Sequence, residues 1–171
     1  IQILSGMFLT MYYVPDIENA WQSVYYLQNE VAFGEIVRGM HHWGASLVVV
    51  MIFLHTLRVF FTGSYKKPRE LNWVVGVMLF GVILGLSFTG YLLPWDMKAL
   101  FATKVGIEIA ASVPLIGGMI KVLLAGDSTI LGAQTLTRFF AIHVFFLPAA
   151  LLGLLAAHFI MIRRQGISGP L

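Results

Sequence analysis

Apolar residues in this chain gather into long runs separated by short polar breaks. A bilayer crossing needs about 20 apolar residues to cover roughly 30 Å of hydrocarbon. Three segments meet that length. Residues 43–61 are apolar except for His55, Thr56 and Arg58. Residues 73–93 carry no charge and stop at Pro94. Residues 139–162 hold no acid, Lys or Arg but include His143 and His158. A fourth segment, residues 1–14, is apolar but too short to cross. It reads as the second half of a helix that starts ahead of Ile1. The pattern predicts an all-α membrane protein over residues 1–171, a bundle of four transmembrane helices at about 1–14, 37–62, 73–94 and 136–164.

The breaks differ in kind. Residues 15–38 form a polar loop with Asp16, Glu18, Glu30 and Glu35. Residues 62–72 are short and basic, with Lys66, Lys67 and Arg69. Residues 95–137 are mildly amphipathic and interrupted by Ser112-Val113-Pro114 and Gly117-Gly118, which fits two short helices lying at the membrane interface. The basic loop and the tail with Arg163 and Arg164 fall on one side, which the positive-inside rule makes cytoplasmic. The expected location is a cell membrane, crossed several times.

Composition narrows the reading. The chain is 58% apolar and 11% charged, with mean hydropathy +0.84 and net charge +3. Such a chain is neither disordered nor a nucleic-acid-binding domain, and no nucleic-acid partner is expected. It has no Cys, which excludes disulfides, thiolate metal sites and Cys-anchored iron–sulfur clusters within these residues.

Four of the five histidines pair. His55 follows His41 by fourteen positions on the second segment, and His158 follows His143 by fifteen on the fourth. At about 100° per residue, fourteen steps fall roughly 40° short of four turns and fifteen overshoot by about 60°. Each pair therefore projects from about one helix face, its members roughly 21–23 Å apart. If the two helices run parallel, His41 faces His143 near the outer side and His55 faces His158 near the inner side. A flat porphyrin between two helices takes one imidazole on each face of its iron. Bis-His ligation leaves no open position, so such an iron carries electrons. Two such sites form an electron path across the bilayer. An isolated buried His more often just hydrogen-bonds a helix backbone, but four in matched pairs are costly to bury without a task. Zinc needs about four ligands at one point and fits this spread poorly. His42, about 140° from completing four turns relative to His55, turns away and reads as an interfacial residue.

Glycines and arginines extend the pattern. Gly76 and Gly90 on the third segment repeat the fourteen-position step, and Gly6 lies on the first segment. Glycine admits close approach of a bulky planar group, although it also serves ordinary helix packing in membranes. Arg38 lies three positions before His41, Arg138 five before His143, and Arg58 three after His55. Each is placed to pair with an anionic heme propionate or to snorkel to the interface.

These residues resemble the N-terminal, heme-bearing half of cytochrome b in quinol:cytochrome c reductases. The carrying motifs are Arg38-Gly39-Met40-His41 with Gly44-Ala45-Ser46, Gly90-Tyr91-Leu92-Leu93-Pro94-Trp95, Thr135-Leu136-Thr137-Arg138 followed by His143, and the tail Gln165-Gly166-Ile167-Ser168-Gly169-Pro170-Leu171. The fifteen-position step and the basic stretch from Lys66 to Glu70 resemble the split b6 branch. Residues 3–13 resemble the menaquinol:cytochrome c reductases of Gram-positive bacteria.

The resemblance implies two hemes b, a low-potential one held by His41 and His143 and a higher-potential one held by His55 and His158. It implies quinol oxidation outside, near Phe88, Tyr91, Ala102 and Val105, and quinone reduction on the cytoplasmic side, building proton motive force. It also implies partners: a second cytochrome b subunit with the remaining helices, a Rieske iron–sulfur protein, a c-type cytochrome or plastocyanin-type acceptor, and a homodimeric complex. The family's Pro-Glu-Trp-Tyr motif is absent, so this chain forms no complete quinol-oxidation site alone. The b6 branch anchors a third, c-type heme through a Cys whose region precedes Ile1. Asp96 and Lys104 are candidates for proton transfer at the quinol site, with interfacial solvation as the plainer role. A diheme membrane anchor of a dehydrogenase and a heme-free channel subunit are the rival readings.

Overall fold

The computed structural model describes residues 1–126 and 131–168. Residues 127–130 of the stretch before the last span, and Gly169-Pro170-Leu171 of the tail motif, lie outside the described residues. Helices α1 (Gln2–Thr10), α2 (Ala20–Asn29), α3 (Gly34–Phe61), α4 (Glu70–Leu92), α5 (Met97–Ala111), α6 (Gly117–Ala125), α7 (Ala133–Ala141) and α8 (Leu147–Gln165) follow in order. A π-helical turn, Ile142–Phe146, joins α7 to α8. Among the described residues there are no strands.

Three helices are long and apolar enough to cross a membrane: Gly34–Phe61, Glu70–Leu92 and the continuous Ala133–Gln165, with mean hydropathies of 2.0, 2.1 and 2.3. Each begins slightly ahead of its predicted start. The third predicted span ends near where expected: α4 stops at Leu92, two residues before Pro94, which has no N–H to continue a helix. The short helix α1 lies along α3. Its chain end is fixed by Tyr13, whose hydroxyl donates to the Leu93 carbonyl at 2.7 Å while its ring stacks on Phe140 at 5.5 Å.

The segment read as a polar loop, residues 15–38, instead contains α2. Its Ala20, Ser23 and Leu27 recur at helical spacing and are buried, whereas Trp21, Tyr25 and Tyr26 are exposed. Acidic residues flanking this short amphipathic helix hide its period in the sequence.

Helix α4 is the hub, packing against α3, α5, α7, the π turn and α8. The two expected interfacial helices are α5 and α6. Asp96 caps α5, accepting from the Ala99 amide at 2.7 Å. An exposed Lys121–Glu108 ion pair at 2.7 Å links α5 to α6. Beneath them lies the core: Leu92, Ile107, Ala125 and Phe139, with Phe88 and Trp95 packed against it. At the opposite end, the Arg69 guanidinium donates to the carbonyls of Gly166 (3.2 Å) and Ile167 (2.9 Å), tying the tail to the α3–α4 loop.

The π turn has a cause in Pro148. Proline offers no N–H to the carbonyl four residues back and its ring crowds that carbonyl. The Leu147 amide bonds instead to Ile142, five positions back. A π turn of this kind is an α-helix carrying one inserted residue.

Phe139 is fully buried in the outer core. Phe139→Ala should destabilise the chain by about 3–5 kcal/mol, as large-to-small core changes do. Thermal unfolding in detergent would measure it, with the exposed Phe145→Ala as a near-neutral control.

Candidate heme-binding site

The outer histidine pair comes together as the spacing predicts. His41 on α3 and His143 in the π turn have ring centroids 6.3 Å apart. Metal–imidazole bonds are about 2.0–2.1 Å, so two imidazoles on opposite faces of one metal place their ring centres about 6 Å apart. The pair fits bis-imidazole ligation at that spacing.

Hydrogen bonds fix which nitrogen each ring presents. The Ser5 hydroxyl contacts His41 Nδ1 at 3.0 Å and the Ile1 carbonyl at 2.9 Å. The Thr89 hydroxyl contacts His143 Nδ1 at 3.1 Å and the Gly85 carbonyl at 2.8 Å. A hydroxyl whose one proton goes to the backbone carbonyl is left to accept from the ring. In that tautomer Nδ1–H donates to the hydroxyl oxygen. Nε2 keeps its lone pair, as metal-ligating histidines require. Nothing in the sequence pattern pointed to Ser5 or Thr89; a hydroxyl directly before Gly6 and before Gly90 is the signal that could have found them.

The glycines take a different part from the one expected. They receive the imidazoles of the neighbouring helix. A Cβ on Gly6 would lie 3.2 Å from His41 Cε1, one on Gly90 2.6 Å from His143 Cε1, and one on Gly76 3.5 Å from His158 Cε1. Gly90 and Gly76 thus mark the seats of both α7–α8 histidines along α4. The seats are fourteen positions apart on α4, whereas the histidines that fill them are fifteen apart on their own helix. The inserted residue of the π turn accounts for the difference. The overshoot of about 60° expected of an unbroken helix is absorbed in that turn.

The inner pair is less fully formed. His158 is half-buried against Gly76, and its Nδ1 is buried with no hydrogen-bond partner among the described residues. His55 is exposed on α3 and is not brought into ring contact with His158. His42 is exposed and meets Trp43 edge-on at 5.4 Å, turned away as the spacing indicated.

The arginines divide. Arg38 donates to the Gln28 side chain, reaching from α3 to α2. Arg138 donates to the carbonyls of Val122 (2.5 Å) and Leu123 (3.1 Å), closing the C-terminal end of α6, where a helix carries partial negative charge. That is neither the propionate contact nor the snorkelling weighed from sequence. Arg58 is exposed. Of the four residues placed near a quinol, Phe88 packs into the core against Phe139 at 5.6 Å and lies against Gly106. Tyr91, Ala102 and Val105 are exposed, and Lys104 is exposed beside them on α5. Asp96 is occupied as a helix cap. Among the described residues no three of His, Cys, Asp or Glu converge, so a zinc site lacks its ligands there.

The two α4 glycines should respond unequally. Gly90→Ala forces the His143 ring to move, whereas Gly76→Ala adds ordinary van der Waals contact. Reduced-minus-oxidised spectra should show the outer b-type signal diminished in the first variant and both signals kept in the second.

Comparison with known proteins agrees with this geometry. The cytochrome b/b6/petB family profile matches residues 1–166. Across all 171 residues the chain is 84% identical to the menaquinol:cytochrome c reductase cytochrome b subunit of Geobacillus thermodenitrificans and 82% identical to that of Bacillus subtilis, covering 76% of each. It is 50% identical to cytochrome b6 of Heliobacterium modesticaldum, covering 80% of that protein. A chain of a hyperthermophilic respiratory Complex III superposes with TM-score 0.90 at 33% identity, over 99% of this chain and 45% of that one. This chain belongs to the cytochrome b/b6 family.

Proposed function

We propose that this chain is the diheme electron-transfer subunit of a quinol:cytochrome c reductase, with menaquinol as the donor class that its closely similar relatives are named for. The observation that carries the reading is the His41–His143 pair, 6.3 Å between ring centres, with both Nδ1 atoms tied back to hydroxyls. Heme b, the family's cofactor, supplies one-electron chemistry when bound.

In this reading His41 and His143 would hold the outer heme, and His55 and His158 the inner one. Held by two imidazoles, each group would carry electrons rather than bind small ligands. Gly6, Gly90 and Gly76 give the ring edges room against the adjoining helix. Arg38 and Arg58 sit at opposite ends of the bundle, where each can offer its guanidinium to a propionate. The step from His41 to His55 on α3 spaces the two levels by about 21 Å. Moving one charge against the membrane field costs about 2.3 kcal/mol per 100 mV, so a transfer over this span stores energy as membrane potential.

Tyr91, Ala102 and Val105 form the exposed outer edge at which quinol is oxidised, with Phe88 fixing the α4–α5 packing behind it. Quinone reduction lies on the cytoplasmic side, near His158. Completing the outer pocket needs the second cytochrome b subunit. A Rieske iron–sulfur protein takes the first electron and a c-type cytochrome accepts it, within a homodimeric complex in the plasma membrane. The third, c-type heme of the b6 branch needs a Cys that these residues do not include, so they account for two hemes b.

His143→Leu should remove the outer heme signal and leave the inner one, and His158→Leu the reverse. Redox titration of the optical spectrum in the purified complex reads both. Loss of the inner signal alone in His143→Leu would overturn the pairing. Absence of inhibitor-sensitive quinol:cytochrome c activity in the unmodified complex would overturn the reductase assignment.

A further inference from the structure

Both outer histidines have a side-chain hydroxyl at Nδ1: Ser5 lies 3.0 Å from His41 Nδ1 and Thr89 3.1 Å from His143 Nδ1. The two hydroxyls come from different helices, α1 and α4, and each directly precedes the glycine on which its ring rests. Each is itself oriented by a bond to its own helix backbone, Ser5 to Ile1 at 2.9 Å and Thr89 to Gly85 at 2.8 Å. Both hydroxyl residues are buried, at 7% and 3% exposure, so water does not compete for these bonds.

We infer that Ser5 and Thr89 are positioning residues that make the outer imidazoles more electron-rich and so lower the potential of the outer heme. The inference rests on the reading of His41 and His143 as heme ligands. An acceptor on Nδ1–H pulls that proton away and raises the basicity of Nε2. A more basic axial ligand favours the oxidised iron over the reduced one, and second-shell hydrogen bonding is one of the protein's means of setting heme potential. Two such acceptors, one on each ring, act on the outer level together, and a lowered outer potential favours passing an electron inward. The hydroxyls also fix each ring's rotation, because a bond from a helix-anchored oxygen leaves the imidazole one orientation over its glycine.

The test uses the intact, heme-loaded complex. Thr89→Val keeps the side-chain shape and removes the acceptor; Ser5→Ala does the same on α1. Each should raise the outer-heme midpoint in potentiometric titration, shifting its oxidised-to-reduced ratio at fixed potential by about threefold to tenfold, tenfold being about 59 mV for one electron. The double variant should shift further, the inner midpoint should stay, and Thr89→Ser should restore the parental value. Unmoved midpoints with both hemes spectrally present would overturn the inference. Where a variant loses the outer heme, pulsed EPR on the unmodified complex decides. The remote imidazole nitrogens of the outer ferric heme should carry the signature of an Nδ1–H hydrogen-bonded to a hydroxyl, and couplings of a free Nδ1–H there would overturn the inference. An unmodified complex without b-type hemes would defeat the ligand assignment itself, a distinguishable result.

Discussion

An imidazole edge can come as close to a neighbouring helix as the outer histidines do only where that helix lacks a Cβ, and this constraint organises the outer end of the bundle. Gly6 makes the seat for His41 and Gly90 for His143, while His158 rests in ordinary contact distance of Gly76. The close approach of α1 to α3, and of α4 to the last span, is set there by the ring edges. Lipid tails are as apolar as the helices, so burial alone gives membrane helices little reason to associate. Here the specific contacts are a polar ring in a glycine seat and a hydrogen bond from its Nδ1 to a hydroxyl one residue away.

The same constraint explains the local irregularity of the last span. The seats at Gly76 and Gly90 on α4 demand two rings at a matching axial distance and on one face. A regular helix with the longer step from His143 to His158 would turn the second ring about 60° off its seat. Pro148 opens a π turn within that interval, and the extra residue is taken up there. The strongest helix breaker in the span thus falls where it keeps the two faces in phase. His143 itself sits within the widened turn.

Much of this was legible in the sequence. Long apolar runs mark the spans because lipid leaves few alternatives, and Pro94 marks an end because proline does. The histidine pairs were visible because fourteen and fifteen are near multiples of the helical repeat. The part of the glycines was not, because spacing shows which residues share a face without showing what lies opposite. Ser5 and Thr89 were invisible for the same reason, since their value depends on partners 36 and 54 residues away. Helix α2 escaped notice because its buried stripe is confined to Ala20, Ser23 and Leu27. Arg138 illustrates a general difficulty: near an expected anion an arginine looks like its partner, but the bare carbonyls at the end of α6 offer negative charge at closer range.

The distribution of burial separates the two ends of the molecule. Leu92, Ala99, Ile107, Ala125, Leu136 and Phe139, two thirds of the buried hydrophobic residues among those described, lie at the end of α4 and on α5, α6 and α7. The most apolar stretch of α3 contains no buried residue at all. A rigid, side-chain-packed cap therefore sits on one end of a bundle whose spans turn apolar surface outward, towards lipid and neighbouring subunits. Tyr13 pins α1 to this cap through Leu93 and Phe140, and α1 carries Ser5. The outer histidine pair is thereby tied on one side to the packed cap through α4 and α7, and on the other to α1, which the cap itself restrains. His158 lies beyond the cap's reach, near an end secured by the Arg69 contacts to the tail. The level with the tighter ring geometry is the level the packed core supports. A ligand hydrogen bond keeps a fixed length only if both of its helices are held.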